Sequence, residues 1–326
     1  LIRKKRTIPP EILILEALLR RLRSNHPKIP QIQAELAKRK KGYRGELSVN
    51  YYLDLIDKLE FLILHDIRLS DSKSYFQIDT LILTPHFFLI LEIKNIAGIL
   101  FFENDSNQMI RTLNNVEEGM ENPILQARRH TRQLKSWLIQ RKLPLLPIEY
   151  LVIISDPKTI IKASRTSIFT KVMHSTNLPF IFEKIEKTHT KETLTMKEMR
   201  KIAGTIEKHH TLKKPDYLKK FSLLQSDIQK GVLCPKCLAL PMGRKKGFWY
   251  CPKCQTNSGD AHIEALGDYA KLINSMITNQ QVREFLQIPS SKVARNILES
   301  MKLSSTGTTK SRTYHLPQYQ YLHTTT

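Results

Sequence analysis

The chain has 326 residues, a length that predicts about two domains at roughly 150 residues each, or three small ones. Apolar residues make up 41% and charged residues 25%, which excludes a disordered tail and a collagen-like repeat. Lysine and arginine outnumber aspartate and glutamate 52 to 30, for a net charge of +22, so a polyanion is the expected partner.

Residues 10–24 carry helical periodicity, and residues 30–59 read as a second, longer helix with apolar Leu36, Leu47, Leu53 and Ile56. From about 61 the pattern changes to strands, FLILHDI, FQIDTLILT and FFLILEIKN, rich in β-branched and aromatic residues. Residues 122–141 return to a helix that opens at Pro123, and IEYLVIIS follows as a strand buried on both faces. Residues 156–191 are mixed, a helix spans 194–210, and a lysine-rich connector (KKPDYLKK) precedes a cysteine segment at 231–256 and a helical tail.

Charge is uneven along this order. Residues 1–41 hold 12 basic against 3 acidic residues, residues 42–155 hold 12 against 14, and residues 156–326 hold 28 against 13. A near-neutral block between basic arms suits a carboxylate site brought to a polyanion by its neighbours. No apolar run reaches the roughly 18 residues of a membrane helix. The charged amino end has no signal-peptide pattern, so no membrane partner and a cytoplasmic location are expected.

The strand pair around Thr84-Pro85-His86-Phe87 is informative. A turn centred between Pro85 and His86 sets Leu83 against Phe88 and Asp79 against Glu92. Asp79, Glu92 and Lys94 then share a face with Leu81, Leu83, Phe88 and Ile90, while Ile78, Ile82, Leu89 and Leu91 take the other. Two opposed carboxylates in a buried sheet need a cation. A divalent metal ion takes hard oxygen ligands, and with Lys94 beside it the set is suited to hydrolysing phosphodiesters.

Further pieces flank this pair: Gly45-Glu46 in GYRGE, Gln77-Ile78-Asp79, Glu92-Ile93-Lys94-Asn95 followed by Gly98, and Asn122-Pro123 with Gln126 and His130 one turn apart. With these pieces, residues 42–155 resemble the nuclease-related domain family, NERD, itself similar to the PD-(D/E)xK nucleases. The proline usual before the first acid is replaced by Ile78. The resemblance implies an α/β (α+β) restriction-endonuclease-like core, a mixed sheet flanked by helices. It implies Asp79 and Glu92 as ligands of Mg²⁺ or Mn²⁺, Lys94 as the catalytic lysine, Glu46 as an accessory acid and Gln126 as a helix-borne substrate or metal-shell residue. A homodimer is also compatible, since such enzymes often pair to cut both strands. Arg128, Arg129, Arg132 and Lys135 make the 122–141 helix basic, fit for a phosphate track or for solvation alone.

All four cysteines lie in two CPKC knuckles, Cys234 with Cys237 and Cys251 with Cys254. This spacing predicts a closed, structural Zn²⁺ site. The segment between, with Arg244, Lys245, Lys246 and Trp249, resembles a zinc ribbon of the kind attached to topoisomerases, and it suits base stacking and phosphate contact. Residues 278–316 read as a helix (Asn279 to Gln287), a turn at Ile288-Pro289, a second helix from Ser290 or Ser291 to about Met301, and two strands around Gly307. That is the order of a winged helix-turn-helix, with Ser291, Lys292 and Arg295, then Asn296, facing a groove and Lys310 and Arg312 in the wing.

The expected organisation is a basic helical arm at 1–41, the nuclease-like core at 42–155, a core extension and connector at 156–230, the ribbon at 231–258 and a winged module at 259–326. The leading reading is a metal-dependent nuclease, with DNA favoured over RNA as substrate. The competing readings are a non-catalytic DNA-binding or regulatory protein on a nuclease-like scaffold, and an RNA-processing nuclease.

Overall fold

A computed structural model describes residues 1–56, 60–71, 74–103, 106–191, 194–308 and 311–317. The chain groups into two compact units, one made of Leu1–Ile8 and Lys40–Lys213, the other of Pro9–Arg39 and Lys214–Thr326. In chain order the elements begin with strand β1 (Ile2–Lys4) and helices α1 (Pro10–Arg21) and α2 (Ile29–Asp54), then β2 (Leu62–Ser70), β3 (Tyr75–Leu83) and β4 (Phe88–Lys94). A second set of strands, β5 (Ile99–Phe102), β6 (Met109–Leu113) and β7 (Val116–Met120), leads to α3 (Pro123–Gln140) and β8 (Ile148–Ile154). Strands β9 (Ile160–Ala163) and β10 (Val172–His174) and helices α4 (Leu178–Thr188) and α5 (Met196–His209) complete the first unit.

The main sheet has the order β1-β2-β3-β4-β8-β10. The β2-β3-β4 meander is antiparallel, while β1 on β2, β8 on β4 and β10 on β8 run parallel, so the sheet is mixed. One face packs Leu81, Leu83, Phe88 and Ile90 against Leu134, Trp137 and Leu138 of α3 and Met199, Ile202 and Ile206 of α5. The other packs Ile82, Leu89, Leu91 and Ile153 against Val49 and Leu53 of α2 and Leu178 and Phe182 of α4. A sheet covered on both faces explains the near-continuous apolar reading of β4 and β8. The fold is thus α/β, with mixed sheets flanked by helices.

Local sequence sets the helix starts. The Asn122 side chain accepts from the Ile124 N–H at 2.9 Å, and Pro123 occupies the first turn of α3. Thr195 and Glu198 form a capping box on α5.

Four features depart from the sequence expectation. The 1–41 stretch is divided: β1 adds a strand to the main sheet, whereas α1 belongs to the second unit. The second helix stops at Asp54, and the end of its expected span, residues 57–59, lies outside the described residues. Strands β5 to β7, not expected, form a sheet with β9 in the order β7-β6-β5-β9, and Asn114 and Asn115 turn β6 into β7 with positive φ at both positions. Ile78 shares the cluster of Leu81 and Leu83 instead of facing away from them, because alternation breaks at Asp79-Thr80 in β3 and opposite, at Asp66 (φ 53°) in β2.

The second unit contains α1, the start of α2 and, after Lys214, helix α6 (Tyr217–Lys220). A small antiparallel sheet follows from β11 (Gly243–Lys245), β12 (Phe248–Tyr250) and β13 (Asn257–Ser258). Then come α7 (His262–Leu272), β14 (Met276–Thr278), α8 (Asn279–Leu286), α9 (Ser291–Ser300), β15 (Ser305–Thr306) and β16 (Thr313–His315), with β16 between β14 and β15. Helix α1 is buried nearly all round. Arg21, fully buried, donates from Nε to Asp268 Oδ2 at 2.8 Å and from Nη1 to the Gly231 carbonyl at 2.7 Å, and Arg20 reaches Asp268 Oδ1 at 2.6 Å. Two cations of the expected basic arm are therefore internal ties to α7. Among the described residues no helix is long and apolar enough to cross a membrane.

Candidate functional site

The turn that creates the site is held by Thr84. Its hydroxyl accepts from the His86 and Phe87 N–H groups and donates to the Phe87 carbonyl, which lets the unusual Pro-His pair close the hairpin. The β3–β4 ladder then runs from Leu83 opposite Phe88 to Thr80 opposite Leu91, the register expected, and ends there. At the next position a side chain takes over: Asp79 Oδ2 accepts from the Ile93 N–H at 2.9 Å.

Glu92 is buried, with 1% exposure. Its Oε1 accepts from Lys94 Nζ at 2.7 Å, and Lys94 also donates to Gln126 Oε1 on α3 at 3.0 Å. Its other oxygen, Oε2, lies 3.4 Å from His130 Nδ1 without hydrogen-bond alignment, so both atoms are buried and without a hydrogen-bond partner. Gln126 and His130, one helical turn apart, thus reach Lys94 and Glu92 respectively. Burial, then the Glu92 and Glu46 charges, push the Asp79 carboxyl well above the usual range. Burial raises Glu92 too, but His130 and Lys94 outweigh it and the net shift is downward. Lys94 is disfavoured by burial, yet Glu92 and Asp79 raise it and keep it a cation.

Glu46 on α2 is drawn off by a residue that sequence reasoning passed over as part of a charged terminus. Arg6, with 1% side-chain exposure, donates from Nη1 to Glu46 Oε2 at 2.7 Å and also to Asp66 Oδ1. Its Nη2 donates to the Asp79 carbonyl at 3.3 Å and Thr80 Oγ1 at 2.9 Å. Burial, partly offset by Arg6 and reinforced by Asp66, pushes Glu46 up to about 7. Nothing in the sequence pattern distinguishes Arg6 from Arg3, Lys4 and Lys5 beside it.

The glycines of the motif have steric reasons. A Cβ on Gly45 would press on Asn95 and come within 2.6 Å of Ser155 Oγ, so α2 can approach the end of β4 only with glycine there. Asn95 Nδ2 completes that clasp on the Lys41 carbonyl at 2.7 Å. Gly98 has φ +106° and lies against the Thr112 carbonyl.

A cleft of about 360 Å³ opens beside Asp79, lined by Tyr75, Gln77, Asp79, Gln126, Arg129 and His130 among others. Arg128, Arg129 and Arg132 are all exposed, and of the three only Arg129 lines the cleft, held to Glu121 Oε1 at 3.0 Å.

In the second unit, the ligand atoms of Cys234, Cys237, Cys251 and Cys254 lie within 4.8 Å of one another, compatible with a tetrahedral zinc ribbon. Among the described residues this is the only such group of three or more, so Glu46 does not join Asp79 and Glu92 in one cluster. Trp249, expected among the nucleic-acid contacts, is corrected by its burial: it is fully enclosed, and its Nε1 donates to His262 Nδ1 at 3.0 Å. The small ribbon uses this indole as its core. Arg244 is half-buried over the Trp249 ring, while Lys245 and Lys246 are exposed.

At α9 the side chains of Lys292, Arg295 and Asn296 are exposed, as is Ser291, whose hydroxyl donates to Asn279 Oδ1 at 3.1 Å. Ser290 caps this helix on the Val293 N–H. Arg312 is exposed, and Lys310 lies outside the described residues.

No curated protein and no solved structure matches the chain. Residues 41–155, from the Gly45-Glu46 clasp through β4, α3 and β8, match the family model of the nuclease-related domain, and the chain thus carries a NERD domain over that span.

Proposed function

We propose that the unit built on β2, β3, β4, α3 and β8 is a metal-dependent nuclease that hydrolyses phosphodiester bonds, in DNA before RNA. The observation that carries this is the pairing of partly buried Asp79 with buried Glu92, with Lys94 beside them, in which Glu92 Oε2 is enclosed without a hydrogen bond. An acid pair of this kind is costly unless a cation completes it. Mg²⁺ or Mn²⁺ fits because these ions are held by one or two carboxylates and leave positions for water and phosphate. Asp79 and Glu92 would hold it. When bound, such an ion supplies charge neutralisation and a more acidic water.

The chain's own residues do the rest. Lys94, kept cationic by Glu92 and Asp79, provides positive charge for the phosphate as negative charge builds on its oxygens. Gln126 fixes the ammonium from α3, and His130 stands 3.4 Å from Glu92 Oε2. Glu46 contributes through its pairing with Arg6. Arg129 offers a phosphate contact at the cleft wall, and Arg128 and Arg132 extend the basic face of α3.

The four cysteines are proposed to hold structural Zn²⁺, with Arg244, Lys245 and Lys246 on its hairpin contacting phosphates. The α7 to β16 segment is proposed to be a winged helix-turn-helix, since a helix, a strand, two helices and a two-stranded wing follow in that order, with Ser291, Lys292, Arg295 and Arg312 available to DNA. The test incubates the full chain with single- and double-stranded DNA and RNA in Mg²⁺, Mn²⁺ or EDTA, beside Asp79→Ala and Lys94→Ala. Metal-dependent cleavage lost by at least about a hundredfold in both variants supports the proposal; binding without cleavage on every substrate favours the scaffold reading.

A further inference from the structure

We infer that Tyr75 is a stacking platform for an unpaired nucleobase of the substrate strand, which commits the cleft to single-stranded or locally opened nucleic acid; this rests on the nuclease reading above. Along β3 the side chains of Tyr75, Gln77 and Asp79 are more exposed than Phe76 and Ile78 between them, and all three line the cleft. At the rise of a strand, Tyr75 stands about 13 Å from Asp79. That row leads from Asp79 outward, with Gln77 halfway.

Tyr75 contributes little to the core. The residue is 55% exposed, while Phe76 and Ile78 carry the packing of this strand. One ring face is taken by the Arg68 guanidinium, 3.8 Å from the ring centroid. Arg68 is itself braced, by its ladder place opposite Gln77 and by donation from Nη1 to Thr211 Oγ1 at 3.1 Å. A tyrosine backed by a fixed cation keeps its orientation, and its exposure is left to the opposite face and edge. On α3, Arg129 supplies the cation for the phosphate of the same nucleotide. A base within a duplex has both faces covered by its neighbours, so only an unpaired base can lie on this ring.

The test uses the full chain with Ca²⁺ in place of Mg²⁺, a fluorescent oligodeoxynucleotide of about 12 nucleotides, single-stranded or as a duplex, and anisotropy as readout. Tyr75→Ala should weaken single-strand binding about tenfold, and Tyr75→Phe should retain it within about twofold, with duplex binding moved far less in either. Thiothymidine placed in the single strand should photocrosslink to the peptide that contains Tyr75. Equal losses on both substrates, no loss in Tyr75→Ala, or crosslinks that avoid this peptide overturn the inference. If the protein never cleaves in Mg²⁺ yet shows the Tyr75-dependent preference, the nuclease reading fails and the stacking site stands. If it cleaves and Tyr75→Ala binds unchanged, the stacking site alone fails.

Discussion

On the reading proposed above, the cysteine cluster and the carboxylate pair are two ways of arranging donors for a cation. The cysteines bring four sulfurs within 4.8 Å, so that protein atoms alone satisfy a tetrahedral ion. The β3–β4 hairpin sets Asp79 and Glu92 on neighbouring strands, leaves Glu92 Oε2 without a hydrogen bond, and the third acid, Glu46, pairs with Arg6. A saturated site contributes its binding energy to folding. An unsaturated one holds its charges at a cost to folding and keeps places for exchangeable ligands.

The largest effect separates the two sites in a single set of melting experiments without added Mg²⁺. Cys251→Ser should remove zinc and with it most of the roughly 10 kcal/mol that a structural zinc supplies to a small metallo-domain. Loss of the ribbon should expose Trp249 and shift its emission to the red. Asp79→Asn should act in the opposite direction. The carboxyl is raised by burial and by its acidic neighbours, so its ionised form costs stability above its unfolded pKa, and the neutral amide should raise the melting temperature. It should also abolish any rise that Mg²⁺ gives to the parent. Equal destabilisation by both substitutions would break the contrast.

Arg6→Gln addresses the diverted acid. It leaves Glu46 and Asp66 facing each other without their shared cation, and a loss of about 3 kcal/mol in urea unfolding is expected. A change below about 0.5 kcal/mol would make Arg6 an ordinary surface arginine. The smallest effect concerns its neighbour His65, whose pKa is pushed down to about 3 by burial and then by Arg6 and Lys4. A depressed pKa gives stability that is present above the unfolded value of 6.5 and lost as pH falls toward 3. Between about pH 7 and pH 5 the parent should lose up to about 2 kcal/mol through this group, and His65→Gln should flatten that slope in urea unfolding.

The part of the site legible from sequence is the part that local rules govern. The hairpin register followed from a turn position and a period of two, and it brought Asp79 to the main chain beside Glu92. The cysteine spacing likewise carried its own geometry. Arg6 was not legible, because its partners lie 40 to 74 residues away and only the parallel addition of β1 to the sheet brings them within reach. The role of Trp249 was misread for a related reason. Aromatic residues next to a basic turn look the same whether they stack on a base or fill a core, and burial against His262 decides it. Strict alternation puts Ile78 on the face opposite Leu81 and Leu83, and the break at Asp79 in β3 and Asp66 in β2 brings it to their face.

The strand β1 and its neighbour Arg6 also bear on how this domain can be cut out of its chain. A fragment trimmed to the matched span, residues 41–155, would leave behind the first strand of the sheet, the arginine between two acids and the α5 residues that seal one sheet face. Inactivity of such a fragment would then report a missing wall and not a failed chemistry. A self-sufficient piece must join residues 1–8 to residues 40–213 across residues 9–39, which hold α1 and the start of α2, for example by a glycine- and serine-rich bridge.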